Sequence, residues 1–152
     1  MAEGQDDGGA RVARVVSAQG ERLEIERIAQ GSASKRVAGD FGAQLAVTHA
    51  AGATAYGVGP EDWDGAGLQG PAGNQLELPL GEHSSWGAMW ATDRIAPLVR
   101  KTSGFGTTER KIFGALCDRL RQGEFDGAYG ADSRPARVHG DLWSGNVLWT
   151  EN

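Results

Sequence analysis

Asp141 and Asn146 stand five positions apart in the string His139-Gly140-Asp141-Leu142-Trp143-Ser144-Gly145-Asn146. An aspartate and an amide at that separation across one turn suit the transfer of a phosphoryl group to a hydroxyl. That reaction needs little covalent help; it needs an acceptor oxygen held in line and the phosphate charge offset by a metal. The carboxylate of Asp141 can accept the hydroxyl's proton, and the amide oxygen of Asn146 can bind Mg²⁺. Gly140 would let the backbone turn close to a substrate, and Gly145 would admit a sharp turn below a metal. His139, placed ahead of the acid, is expected to hold the loop through hydrogen bonds rather than to act as a base.

Blander readings compete with this one. Aspartate is common in turns, and Asp141 in that role would do no chemistry. A His-x-Asp pair can also belong to a metallohydrolase, but His49 and His83 are the other histidines of the chain, too few for a His-rich dinuclear cluster. The full spacing H-x-D-x-x-x-x-N matches a kinase catalytic loop position for position.

The elements that must hold this turn can be read from the pattern around it. Val12, Val15 and Val16, a Gln19-Gly20 turn, then Leu23, Ile25 and Ile28 predict a β-hairpin over 11–28. Ser34 is placed to cap a helix to about Ala51, with Val37, Phe41 and Leu45 as its inward stripe. Residues 52–83, rich in Gly, Pro and Asp, read as a long loop. A helix follows from Ser84 or Ser85 to about Lys101, with Trp86, Met89, Trp90, Ile95, Leu98 and Val99 as its apolar set and Pro97 as a kink. The next runs from about Thr108 to Gln122, capped by Thr107 or Thr108, striped by Ile112, Phe113, Leu116 and Leu120, and stopped by Gly123. Ala136-Arg137-Val138 and Val147-Leu148-Trp149 look like short strands flanking the 139–146 turn.

The 152 residues, 39% hydrophobic and 23% charged, are of ordinary globular usage. A net charge of −5 argues against nucleic acid or an anionic membrane surface as a partner. The acidic start lacks the apolar stretch of a secretory signal, and one cysteine, Cys117, fits a reducing compartment, so a cytoplasmic location is expected. Cys117 itself reads as a small packed apolar residue, and His49, one turn beyond Leu45, as a packing histidine. Gly65-Ala66-Gly67-Leu68-Gln69-Gly70 fits G-x-G-x-x-G, but Pro71 and Gly73 bar a helix behind it, so an ordinary loop is expected there.

The wider string from Val138 through Trp149 is more specific than the kinase spacing and closely resembles the catalytic loop of fructosamine kinases, relatives of aminoglycoside and choline kinases. Upstream, Leu23-Glu24-Ile25-Glu26-Arg27-Ile28 resembles that family's strand and hinge behind the adenine. Phe41 to His49 resembles its first large-lobe helix, and Ser85-Trp86-Gly87 with Arg94 its helical insertion. The resemblance implies an α+β, protein-kinase-like (aminoglycoside phosphotransferase-like) fold in part: a remnant of the small lobe over 1–30 and a mainly helical large lobe over 31–152. It implies an ATP- and Mg²⁺-dependent kinase that phosphorylates a sugar hydroxyl, the 3-hydroxyl in the best-known members, of a small-molecule or protein-bound ketosamine. By that carry-over Asp141 is the catalytic base, Asn146 a Mg²⁺ ligand, Glu26, Arg27 and Ile28 the backbone that meets adenine, and Trp143 either a wall for the sugar or simple packing.

Two family features have no counterpart here: the ATP-binding lysine ahead of the hinge and the second metal-binding aspartate after the catalytic loop. The expectation is therefore a piece of such a kinase, inactive by itself. Alternatives are an aminoglycoside- or choline-kinase-like enzyme, against which Leu142-Trp143-Ser144 argues, and a non-catalytic, pseudokinase-like remnant. Calorimetric titration of the 152-residue chain with Mg-ATP is expected to show binding weaker than micromolar, or none.

Overall fold

The computed structural model describes residues 8–20, 22–71, 73–127 and 133–150. They form two compact units, one from residues up to Ala51 together with those from Arg137 onward, the other spanning Gly52–Ala136.

In the first unit β1 (Val15–Gln19) and β2 (Arg22–Ile25) pair antiparallel, with Ser17 opposite Glu24 and Gln19 opposite Arg22. The turn falls where the sequence places it. Gly20 sits at φ +56°, a left-handed conformation that side chains disfavour. Helix α1 (Lys35–Ala50) begins on Ser34, whose hydroxyl accepts the Val37 N–H at 3.2 Å. Val37, Phe41 and Leu45 are half-buried while the positions between them are exposed, as the i, i+4, i+8 stripe requires. His49 is half-buried on the same side.

Trp149 ties α1 to the segment that follows the 139–146 turn. Its ring meets Phe41 edge-on at 5.9 Å, and its carbonyl accepts the Gly31 N–H at 2.7 Å. The strands expected at 136–138 and 147–149 do not form as strands. Val147 is extended, at φ −120° and ψ 121°, but neither segment joins a sheet ladder. In the second of them the Trp149 carbonyl is engaged singly, by the Gly31 N–H.

The second unit corrects the reading of 52–83 as loop. It holds a small hairpin, β3 (Gly67–Gln69) against β4 (Leu76–Leu78), with Leu68 opposite Glu77. Three-residue strands are too short to show alternation. The G-x-G-x-x-G match thus lies partly in β3, and no helix opens behind it. Tyr56 and His83 exchange backbone hydrogen bonds of 3.0 Å in both directions, which closes the ends of the segment on each other.

A continuous helical stretch follows: α2 (Trp86–Met89), a π segment (Trp90–Ile95) and α3 (Ala96–Lys101). Ser85 caps it, accepting the Ala88 N–H at 3.1 Å. Pro97 has no N–H to give the Asp93 carbonyl four residues back. The chain answers with a widened turn: Ala96 N–H donates to the Ala91 carbonyl, and the Arg94 guanidinium donates to the carbonyls of Asp93 (3.2 Å) and Pro79 (2.6 Å). The extra residue shifts the phase, so Pro97 takes the buried position expected of Leu98, which is 37% exposed.

Helix α4 (Thr107–Arg121) starts one residue earlier than expected, on Gly106, with no side-chain cap. Its inward face is Phe113, Leu116, Cys117 and Leu120; Ile112, assigned to the stripe from sequence, is 63% exposed. Arg110 fastens the corner before it, donating to the carbonyls of Val99, Thr102 and Phe105 at 2.7–3.1 Å. The core of the unit is Ala91, Cys117 and Leu120, packed by Trp86, Ile95, Leu116 and Phe125. At the far end of α4 the Arg119 guanidinium hydrogen-bonds Glu124 and holds that carboxyl below its ordinary range. Among the described residues no helix is long and apolar enough to cross a membrane.

Candidate functional site

The 139–146 turn lies wholly in the first unit, and its geometry follows from a few local choices. Gly140 is at φ +84° with open space where a Cβ would be, so the demand for glycine is conformational rather than steric. The reversal at Gly140 brings the Asp141 N–H back to Nδ1 of His139 at 3.3 Å. With Nδ1 accepting, the neutral ring carries its proton on Nε2. His139 thus braces the backbone that carries Asp141.

A 3₁₀ turn over Ser144–Asn146 then returns the chain, closed by the Asn146 N–H to the Trp143 carbonyl at 2.9 Å. It aims the Asn146 side chain at Asp141. The amide nitrogen of Asn146 donates to the Asp141 carbonyl at 2.8 Å and to its carboxylate Oδ2 at 3.1 Å. Both residues are exposed. They face each other at the surface rather than in apolar packing.

Trp143 is 61% exposed, and its ring covers Gly145, where a Cβ would come within 2.4 Å of the indole carbons. The tryptophan is therefore not a core residue; it rests on its own loop and presents the remainder of its surface to solvent.

Each Asp141–Asn146 bond uses the amide nitrogen, so the amide oxygen of Asn146 and Oδ1 of Asp141 have no partner among the described residues. Two hard oxygen donors in one turn fit Mg²⁺, which typically takes one or two protein ligands and completes its shell with water and nucleotide phosphates. Among the described residues no group of three or more His, Cys, Asp or Glu side chains could hold a metal by itself.

Of Glu26, Arg27 and Ile28, expected from the sequence to meet adenine, Glu26 is already engaged within the chain. The Glu26 N–H donates to the Arg14 carbonyl at 2.9 Å, and the Glu26 carboxylate accepts the Arg14 N–H at 3.0 Å. Arg27 and Ile28 have no hydrogen bond to another described residue. Sequence reasoning missed a polar pair in the second unit, His83 with Asp93, which are joined at 2.7 Å. Their separation of ten residues follows no local motif.

The fructosamine kinase family model matches residues 13–152. A solved structure from Thermobifida fusca YX-ER1, provisionally described as a fructosamine-3-kinase, superposes with a TM-score of 0.72 at 30% sequence identity. The alignment covers 99% of this chain and 50% of that one, so the chain spans half the length of that protein. No curated protein matches the chain.

Proposed function

The chain belongs to the fructosamine kinase family, and on that premise we propose that its 139–146 turn serves ATP-dependent phosphorylation of a sugar hydroxyl on a ketosamine. The observation that carries this reading is the exposed Asp141–Asn146 pair, hydrogen-bonded at 3.1 Å and 2.8 Å within one turn.

In this reading Asp141 takes the proton of the acceptor hydroxyl as its oxygen bonds to the γ-phosphorus and the bond to the ADP oxygen breaks. Asn146 performs two tasks with its two ends. Its nitrogen fixes the direction of the Asp141 carboxylate, and its oxygen is left to hold Mg²⁺. The metal, when bound, offsets negative charge on the phosphates. His139 keeps the Asp141 backbone in place through Nδ1. Trp143 offers the exposed part of its indole as a flat wall to the C–H face of the sugar. The adenine contact falls on Arg27, Ile28 and the Glu26 carbonyl.

The experiment is a transfer assay in a chimera that carries residues 13–150 in place of the matching half of the Thermobifida fusca protein. With Mg-ATP and fructosyl-lysine it should release ADP and form a phosphate ester, and with free lysine it should do neither. A folded, ATP-binding chimera that phosphorylates choline or an aminoglycoside as fast as fructosyl-lysine would refute the substrate assignment. One that transfers to nothing would refute the reading of the turn.

A further inference from the structure

Asp93 is a buried acid that the phosphotransfer reading does not use. It is 6% exposed, on the π segment, and its Oδ2 lies 2.7 Å from Nε2 of His83. A carboxylate at that distance requires a proton on Nε2, which fixes the neutral imidazole in the tautomer with its lone pair on Nδ1.

The ring is seated closely. A Cβ added to Gly57 would lie 2.8 Å from the Gly81 carbonyl oxygen and 3.3 Å from His83 Cδ2, and one added to Gly81 would lie 3.1 Å from Nε2. The backbone of His83 is held by both hydrogen bonds to Tyr56. Tertiary structure thus sets the ring's position, and Asp93 sets its tautomer.

Nδ1 has no hydrogen-bond partner among the described residues, and none of their fully buried side-chain nitrogens or oxygens lacks one, so Nδ1 is reached by solvent. His83 lines a cavity of about 690 Å³ whose described walls also include Tyr56, Glu82, Trp86, Asp126 and Arg134. That volume is within the range of small-molecule sites, roughly 300–1,000 Å³.

We propose that this cavity binds the primary ammonium group of a small molecule, with His83 Nδ1 as its oriented acceptor. Three features select that chemistry. An Nδ1 lone pair repels acceptors and attracts N–H donors. Glu82 and Asp126 outweigh Arg134 among the described charged walls, and Asp93 adds a further negative charge behind the ring. Trp86 is an aromatic wall of the same cavity, the residue type whose ring quadrupole attracts a cation. The site stands in the second unit and does not depend on the phosphotransfer reading; either can fail without the other.

Long-range ¹H–¹⁵N NMR on the 152-residue chain tests it, since only three histidines contribute signals. His83 should show the Nε2–H tautomer, and n-butylammonium chloride should move its Nδ1 resonance saturably. Tetramethylammonium chloride at equal ionic strength, a cation with no N–H to donate, should bind more weakly and move it less. Glu82→Gln, a change at an exposed position, should weaken n-butylammonium binding by about two- to fivefold. A proton on Nδ1, an equal response to tetramethylammonium, the absence of saturation, or an unchanged affinity in Glu82→Gln would each overturn the proposal.

Discussion

Asparagine in place of Asp141 is expected to lower turnover by about 10²–10⁴-fold, the usual contribution of a positioned general base, with KM for ATP and for fructosyl-lysine nearly unchanged. The asymmetry follows from what the substitution keeps. Asparagine has the shape of aspartate, and the 2.8 Å bond from Asn146 runs to the backbone carbonyl of residue 141, which survives the change. The 3.1 Å bond from the same nitrogen can be accepted by the new amide oxygen. His139 still accepts the backbone N–H of residue 141. The turn therefore stands, and the basic oxygen is lost. A loss expressed in kcat and in kcat/KM alike marks an interaction made in the transition state alone. Steady-state kinetics on the chimera, with circular dichroism to confirm folding, separate the two quantities. A kcat within about tenfold of the parent would mean that the proton leaves by another route and that Asp141 does no more than shape the turn.

The geometry of this turn was legible in the sequence because it is local. Gly140 sets the reversal, a 3₁₀ turn returns the chain, and the two side chains meet within an eight-residue string. The first hairpin and α1 were legible for a similar reason: Gly20 marks the turn of one and Ser34 the start of the other, and Val37, Phe41 and Leu45 recur every four residues along α1. What escaped the sequence was set at longer range or by too few residues. The π segment arises from one proline acting on a carbonyl four residues earlier, and Arg94 completes the repair with help from Pro79, in a different segment. The β3–β4 hairpin contributes three residues on each side, fewer than a period-2 pattern needs. The Glu26 N–H is unavailable because hairpin register brings Arg14 to it. His83 and Asp93 meet because a bridge to Tyr56 and the altered phase of the π segment bring them together, and neither is announced by spacing.

Alanine in place of Gly87 is expected to produce the largest loss of stability in the second unit, and the competing terms can be weighed. Alanine is the better helix former by about 0.8–1 kcal/mol, which favours the variant. Against that, the new Cβ would lie 2.2 Å from the Leu120 carbonyl oxygen, 3.0 Å from its carbon and 3.2 Å from Asp126 Oδ1. The carbonyl cannot swing aside freely, because it accepts the Gly123 N–H at 3.0 Å where α4 ends. Asp126 is held as well, by the Gly87 N–H at 2.7 Å. The helices must therefore separate, opening the contacts of Trp86 and Phe125 with Ala91, Cys117 and Leu120. Overpacking of this kind costs about 1–3 kcal/mol, backbone shifts included, and the 2.2 Å approach to a fixed carbonyl puts it toward the upper end, so the net effect is destabilising by about 1–2 kcal/mol and lowers the melting temperature by roughly 5–10 °C. Gly114 supplies the opposite case, since it lies in α4 with nothing within 4 Å of its absent Cβ. Gly114→Ala should gain about the propensity difference, up to ~1 kcal/mol. Urea melts of the two variants should therefore move in opposite directions from the parent. If Gly87→Ala melts at or above the parent while Gly114→Ala is stabilised, the helices tolerate a side chain at their crossing, and the close approach of residue 87 to the end of α4 does not hold the unit together.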